Sequence, residues 1–310
     1  LSFISLYGQV TFHVKQFVMN NLKHVLTTKD FLATGNTFEI LKNPETGILE
    51  THPKPTLAEL PKYYDSQEYI SHNQKSLGVI SFCYKQVRAI STKRKIKICT
   101  KHIKGMSLKK RARILDVGCG TGHFLAKCLE KGWTVKGIEN NMNARNALPS
   151  KISKDVVERF EPLIDQPEKF DVITMWHSLE HLYDLNAAIQ DMKKLLNPKG
   201  IILVACPNHK SFDASFYKEN WAAYDVPRHL WHFDKNAMKD LFSTHNFQLT
   251  ETLPMHWDSF FVSILSEKTL CNNLFFLRGF FVGLISNVRA VFSGQYSSLI
   301  YVLNIKRKTK

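Results

Sequence analysis

The sequence predicts an α/β chain built on a parallel sheet with helices on both faces. Three observations carry this expectation. Strand-like and helix-like segments alternate between residues 111 and 208. The strands are near-continuous apolar runs, as in "FDVITMWH" and "IILVACPN". A glycine-rich turn, "DVGCGTGHF", joins the first strand to a helix. Strands covered on both faces lose the in–out alternation, and helical crossovers between them favour parallel pairing.

The elements follow in order. "LSFISLYGQVTFHVKQF" lacks a basic n-region and a small-residue cleavage site, so it is a poor signal peptide. It reads as translation upstream of a start at Met19, and residues 1–29 as an extension, disordered or non-native. Residues 30–104 read as a small cap. In it "NTFEILKN" and "GILETH" are strands joined by the turn "NPETG". The prolines of "PKPTLAELPKYYDSQEYISH" imply extended chain and short helical pieces. Leu77, Ile80, Tyr84, Val87 and Ile90 recur at helical spacing and predict a basic amphipathic helix over 72–104, packed on the next domain.

That domain spans 105–310. "RILDVG" is its first strand, and "HFLAKCLEKG" a helix ended by Gly132. "TVKGIE" is a strand, "NMNARNALPSKI" a broken helix and "DVVERF" a short strand. After "FDVITMWH", the helix "NAAIQDMKKLLNPKG" stops at Asn-Pro-Lys-Gly and "IILVACPN" follows. The chain then runs through a loose stretch, the helix "KNAMKDLFSTHN" and the strand "FQLTETLPM". An apolar, helical segment covers 258–293, and the closing strand is "SSLIYVLNIK".

With 310 residues, 44% hydrophobic and 22% charged, the composition is that of an ordinary globular protein with a full core. Six scattered Cys contain no CxxC pair, so neither a disulfide framework nor a zinc ribbon is indicated. Reduced thiols in the cytoplasm are the simplest reading. The net charge of +15 is unevenly placed. Ile70 to Leu115 holds 13 Lys/Arg and no acid, and the chain after Glu267 holds seven and none. A solvated basic face, an anionic lipid surface and nucleic acid each fit such a balance. No aromatic residues interleave with "KRKIK" at 93–97, which argues against stacking on single-stranded nucleic acid.

Gly118, Gly120 and Gly122 leave bare backbone where a strand meets a helix, and such a turn faces a ligand at the carboxyl edge of the sheet. No GxxxxGK[ST] run is present, so a P-loop is excluded. A dinucleotide turn needs GxGxxG, but His123 occupies the last glycine's place. Asp116 precedes the first glycine by two residues, and Glu139 ends the next strand 21 residues beyond it. An acid at that position suits the two ribose hydroxyls of an adenosine compound.

At this point a family comes into view. "ILDVGCGTGHF" resembles motif I of class I S-adenosylmethionine-dependent methyltransferases, and "VKGIE" resembles their second-strand acid. "FDVITMWHSLEHLYD" and "LLNPKGIILVACPN" resemble their fourth- and fifth-strand motifs, in order and spacing across 111–208. The resemblance implies a Rossmann-like, doubly wound, seven-stranded sheet with an antiparallel last strand. The N-terminal β-hairpin and helix then form a cap, and 258–293 a helical insert between strands six and seven. It implies S-adenosylmethionine as cofactor. Gly118, Cys119, Gly120 and Gly122 would shape the methionine-side loop, Asp116 would approach the amino group and Glu139 would bind the ribose. Trp176 and His177 would border the cofactor.

The acceptor side must lie beyond strands four and five. "HSLEH" places His177, Glu180 and His181 there, and "YDVPRHLWHF" adds Tyr224, Asp225, Arg228, His229 and His232. A base is needed where the acceptor is a hydroxyl or a protonated amine. His229 is the first candidate, with Arg228 orienting an anionic acceptor; His181 and His232 are further candidates. Each His could instead be a core residue satisfied by backbone. "MWHS" lacks the Asn/Asp-Pro-Pro-aromatic motif of amino-directed family members, and Cys206 needs to be no more than a small strand-end residue.

"LFFLRGFFVGLI", 274–285, carries one charge and is too short to span a bilayer. It reads as a core helix pair, a lid over a lipid-like acceptor or an interfacial helix near anionic lipid. "KNPETG" lacks the Cys of relatives that carry a zinc ribbon, so zinc is expected to be absent and no metal ligand is assigned. The expected activity is methyl transfer to a small-molecule, lipid or saccharide-type hydroxyl, in the cytoplasm or at the membrane periphery. The alternatives are an RNA methyltransferase using 70–115 and a non-catalytic adenosine-ligand-binding module.

Overall fold

A computed structural model describes residues 21–64, 79–106 and 111–306. Its strands are β1 (Lys23–Lys29), β2 (Thr37–Lys42), β3 (Leu49–His52), β4 (Arg113–Val117), β5 (Thr134–Ile138) and β6 (Val156–Val157). β7 (Phe170–Trp176), β8 (Leu196–Pro207), β9 (Trp231–His232), β10 (Phe247–Pro254) and β11 (Ser298–Ile305) complete the set. The main sheet has seven strands in the order β10-β11-β8-β7-β4-β5-β6. β4, β5, β6, β7 and β8 pair in parallel, whereas β11 runs antiparallel to both β8 and β10. This is the Rossmann-like arrangement that the sequence implies. Every residue of β7 is buried, which explains its near-continuous apolar run.

The helices are α1 (Leu60–Tyr64), α2 (Val79–Gly105), α3 (His123–Glu130), α4 (Met142–Asn146), α5 (Ser150–Ser153) and α6 (Glu161–Ile164). α7 (Leu185–Leu195), α8 (Phe212–Tyr217), α9 (Lys235–Thr244), α10 (Asp258–Thr269) and α11 (Phe275–Ser293) follow. Caps mark the starts that the sequence suggests: Asp184 and Asp234 each accept a backbone N–H of the first turn they precede. Two apolar cores cover the two faces of the sheet. One holds Leu115, Ile173, Ile189 and Phe242, the other Cys99, Ile114, Leu125 and Val172.

The cap differs from its expected bounds at both ends. Residues 23–29, assigned to the extension, are strand β1 of a four-stranded sheet, β1-β2-β3-β9. Its fourth strand is Trp231–His232, contributed by the far side of the chain. The packing face of α2 also differs. Ile90 is exposed, and the buried line runs through Thr92, Ile96 and Cys99. The side chains of Leu77, Ile80, Tyr84 and Val87 lie outside the described residues, as does the stretch 1–20.

The insert forms a hairpin of α10 and α11. Glycines set how close the two helices come: a Cβ on Gly279 would stand 2.6 Å from the Ile264 Cα, and one on Gly283 2.7 Å from the Phe260 Cα. The hairpin seats on α8 through the buried Asp213, which accepts from Trp221 Nε1 (2.8 Å), Ser286 Oγ (2.7 Å) and Ser297 Oγ (2.7 Å). Only the inner side of α11 is covered. Phe276, Leu277, Phe280, Phe281, Val288 and Phe292 face outward, Phe292 at 88% exposure. α11 has 19 residues and is long and apolar enough to cross a membrane, so the length argument against spanning fails.

Candidate active site

β4 delivers the glycine turn to the carboxyl edge of the sheet, and the three glycines do different work. All three hold positive φ, at 74°, 54° and 71°. A Cβ on Gly118 would stand 2.5 Å from Ser178 Cβ, and one on Gly122 would stand 2.2 Å from Ile152 Cδ1. Those two glycines admit neighbouring protein. A Cβ on Gly120 would meet nothing within 4 Å, so the open side of the turn is there. The amides of Gly118 and Cys119 both point back into the fold, donating to the Ile138 carbonyl. Cys119 itself is buried.

Glu139 sits at the end of β5 and is buried. Its Oε2 accepts from Gly120 N (2.8 Å) and its Oε1 from Asn141 N (2.8 Å). Each carboxylate oxygen keeps a second lone pair, so Glu139 can grip a ribose while bracing the turn. Asp116 is buried in β4 and accepts from Thr174 Oγ1 (2.6 Å). Burial pushes its carboxyl up to about 7, against the opposing pull of the Thr174 hydroxyl and the Lys95 ammonium. Trp176 lies at the end of β7, edge-on to Phe124 at 5.5 Å, and its buried Nε1–H has no hydrogen-bond partner. An open glycine face, a carboxylate with spare lone pairs and an unpaired indole donor fit the expected S-adenosylmethionine.

Lys95 is a site residue that the sequence reading missed. It comes from α2, with its Nζ 4.7 Å from the centre of the Trp176 ring and its charge facing Asp116 and Asp258. The only signal was the basic run "KRKIK", in which nothing distinguishes this cation from its neighbours. Asp258 was missed as well. It begins the insert hairpin, and its Oδ2 lies 3.0 Å from His177 Nε2.

His177 follows β7 with φ of 58° and also faces Glu180, with Nδ1 to Oε1 at 3.5 Å. Burial disfavours its cation, but the hydrogen bonds and charges of Asp258 and Glu180 prevail and raise it to about 9. It is therefore charged at neutral pH and unsuited to accept a proton.

Beyond it the structure gathers Glu180, His181 and His229. One ligating atom from each lies within 4.8 Å of the others. Glu180 is 1% exposed; its Oε2 accepts from the Cys206 thiol at 3.3 Å, and its Oε1 has no hydrogen-bond donor. Despite burial, His177 and His229 hold its carboxyl down to about 2. The Cys206 thiol is pushed upward by burial and by Glu180, so it stays protonated and is no nucleophile. His229 Nδ1 donates to the Ala223 carbonyl at 2.9 Å. Its Nε2 lies 4.0 Å from both Glu180 Oε1 and Asp225 Oδ2. His181 Nδ1 stands 3.0 Å from the Arg228 carbonyl, which requires that nitrogen to be the donor, with the Tyr64 hydroxyl 3.1 Å away. Burial and the His229 charge lower His181 to about 4.

Two expected acceptor-side residues are absent from this group. Arg228 is fully buried: Nη2 pairs with Asp30 (2.9 Å) and Asp225 (2.7 Å), and Nη1 donates to the Tyr63 carbonyl (3.0 Å). Its donors are spent tying β1 and α1 to the main domain, so it does not orient an acceptor. His232 lies in β9 with Nε2 3.0 Å from Thr51 Oγ1, and burial drives it well below its ordinary range. It is a neutral structural residue, not a base.

Comparison with known proteins agrees with this fold. A family model described as a methyltransferase domain matches residues 92–252, just over half of the chain. Two similar curated proteins are named ubiquinone biosynthesis O-methyltransferase. The one from Chelativorans sp. is 37% identical over 102 residues, 31% of this chain and 40% of that protein. The one from Bartonella bacilliformis is 28% identical over 153 residues, 46% and 62% respectively. The chain thus matches less than two thirds of the length of either relative. The solved magnesium protoporphyrin IX methyltransferase of Synechocystis, with bound SAH, superposes with a TM-score of 0.50 at 12% identity. That match covers 79% of this chain and 97% of that one, and shows a common fold. By sheet order, glycine turn and family match, the chain belongs to the methyltransferase domain family in its class I, Rossmann-like form.

Proposed function

We propose that this protein moves a methyl group from S-adenosylmethionine to a hydroxyl oxygen of a small, lipid-like acceptor. The observation that carries the reading is the Glu180–His181–His229 cluster, two of whose members follow closely on Ser178, the residue packed against Gly118 of the glycine turn. Glu139 and Trp176 Nε1 would hold the adenosine half, and Asp116 the amino-acid end. S-adenosylmethionine supplies, when bound, a sulfonium methyl group for in-line displacement. The residues of this chain supply proximity and alignment, and a place for the acceptor's proton. The Glu180–His181–His229 cluster is that place, because two imidazoles and a carboxylate converge there. The O-methyltransferase names of the matching relatives support oxygen as the acceptor atom.

The outward face of α11 supports a lipid-like acceptor met at a membrane surface. Its exposed apolar side chains would enter the headgroup boundary, with Arg278 and Arg289 of the same helix near anionic lipid. The protein then works in the cytoplasm at the membrane periphery. Labelled methyl donor incubated with fractionated lipids, saccharides and RNA tests the acceptor class. Label is expected in the lipid fraction, and label in RNA alone refutes the reading. His229→Ala is expected to keep S-adenosylhomocysteine affinity and to lose transfer, whereas unchanged transfer would make His229 structural.

A further inference from the structure

We infer that Asp258, the first residue of the insert hairpin, is a positioning residue of the methyl-donor site, where it holds the strained turn that joins Trp176 to the glycine loop. The inference rests on the donor-side roles given above to Trp176 and the glycine turn. Three observations support it. The first is strain. His177 has φ of 58°, a left-handed backbone that a residue with a Cβ adopts only where its surroundings impose it. Both neighbours of His177 serve the donor site. Trp176 keeps its buried, unpaired Nε1–H there. Ser178 packs on Gly118, and its hydroxyl donates to the Val117 carbonyl at 2.6 Å. Relaxation of His177 would displace both.

The second observation is the grip on the imidazole. His177 Nε2 lies 3.0 Å from Asp258 Oδ2, and its Nδ1 lies 3.5 Å from Glu180 Oε1. The Asp258 contact is the shorter and falls in the ordinary hydrogen-bond range. The Asp258 carboxylate also faces two cations of α2, Arg94 and Lys95, and Lys95 is the cation above the Trp176 ring. The third observation is that α11 fixes Asp258 in turn. Asn287 Nδ2 donates to the His256 carbonyl at 2.8 Å. Gly283 admits the first turn of α10, since a Cβ on it would stand 2.7 Å from the Phe260 Cα. Asp258 lies between His256 and Phe260 in the chain. The seating of α11 therefore sets the first turn of α10, and that turn sets His177. Correct seating of the insert becomes a condition of cofactor binding.

Asp258→Ala removes the grip without touching Trp176 or the glycines. S-adenosylhomocysteine titrated calorimetrically is expected to bind the variant about tenfold more weakly than the parent. The ratio of the two affinities is expected to widen from pH 6 to pH 8. In the parent, Asp258 and then Glu180 hold the His177 cation against burial up to about 9, whereas the variant's imidazole loses its proton at lower pH. A residue that served stability alone would lower the melting temperature and leave that ratio level. The His177 ring proton, assigned through His177→Gln, reports the same contact by NMR in the unaltered protein. It is expected to titrate near 9 there, and that measurement stands even if Asp258→Ala fails to fold. Affinity within twofold of the parent at pH 8, or a parent His177 that titrates below pH 7, would overturn the assignment. Failure of the parent itself to bind S-adenosylhomocysteine removes the donor site instead, and leaves the His177 titration intact.

Discussion

Arg228→Ala separates a structural arginine from an acceptor-orienting one. The guanidinium is 1% exposed and faces two carboxylates, Asp30 and Asp225, plus the Tyr63 carbonyl. Its removal leaves the buried Asp30 and the half-buried Asp225 without their cation. Breaking a buried pair in this way costs about 3–5 kcal/mol. Each carboxyl can escape by taking a proton, and that route sets a ceiling. From an ordinary value of 3.8, protonation costs about 4 kcal/mol at pH 7 and about 2 kcal/mol at pH 5.5. Asp30 keeps the Leu32 and Thr34 amides and the Thr34 hydroxyl, which holds its share below the ceiling. A loss of about 3–5 kcal/mol at pH 7 is therefore expected, shrinking by roughly 2 kcal/mol at pH 5.5. In the parent Arg228 holds both carboxyls below their ordinary value, so its contribution is full above about pH 4 and lost as pH falls below that; the smaller loss at pH 5.5 comes from the variant, whose unpaired carboxyls take up protons at higher pH. Urea unfolding of both proteins at the two pH values measures it. A loss under 1 kcal/mol, or an intact fold with abolished methyl transfer, would refute the structural assignment.

Three further outcomes are expected. Glu139→Ala removes the acceptor of the Gly120 and Asn141 amides as well as the ribose ligand, so S-adenosylhomocysteine should bind about 100-fold or more weakly; calorimetry giving affinity within threefold of the parent would contradict it. Asp116 stands at about 7, so affinity for the cofactor's ammonium end should rise with pH through 7 and fall about tenfold per unit below it. A flat profile between pH 5.5 and 8.5 would remove Asp116 from that role; its buried charge costs stability as pH rises, opposite in sign to Asp30. Gly279→Val drives a side chain into the Ile264 backbone and should cost about 1–3 kcal/mol in thermal unfolding, with the α10–α11 hairpin losing protease protection; an unshifted melt would show that the helices need not touch there.

Local patterns made the sheet legible. Apolar runs, the glycine turn and the stop signals are short-range features, and β4 through β8 formed where those features stood. Glu139 was legible for the same reason, since a strand end a set distance beyond a turn leaves little choice of position. The acceptor side was not legible to that degree. "HSLEH" and "PRHLWHF" show which titratable residues are near the edge but not which face inward together. The second stretch holds both Arg228, spent on Asp30 nearly two hundred positions away, and His229, which meets Glu180. Burial of one residue and convergence of the other depend on β1, α1 and β9 closing around them. That closure is a product of long-range packing and leaves no periodicity in the chain.

The sequence by itself determined the α/β sheet, the glycine turn at the strand end and the place of Glu139 at the end of the next strand, because each is specified by residues adjacent in the chain. Tertiary structure alone decided that Gly120 is the open glycine, that Lys95 and Asp258 enter the site, and that Arg228 and His232 do not. It also decided that Glu180, His181 and His229 share one point. Those outcomes turn on which side chains meet across distant elements, and distance in space is set only when the chain is packed.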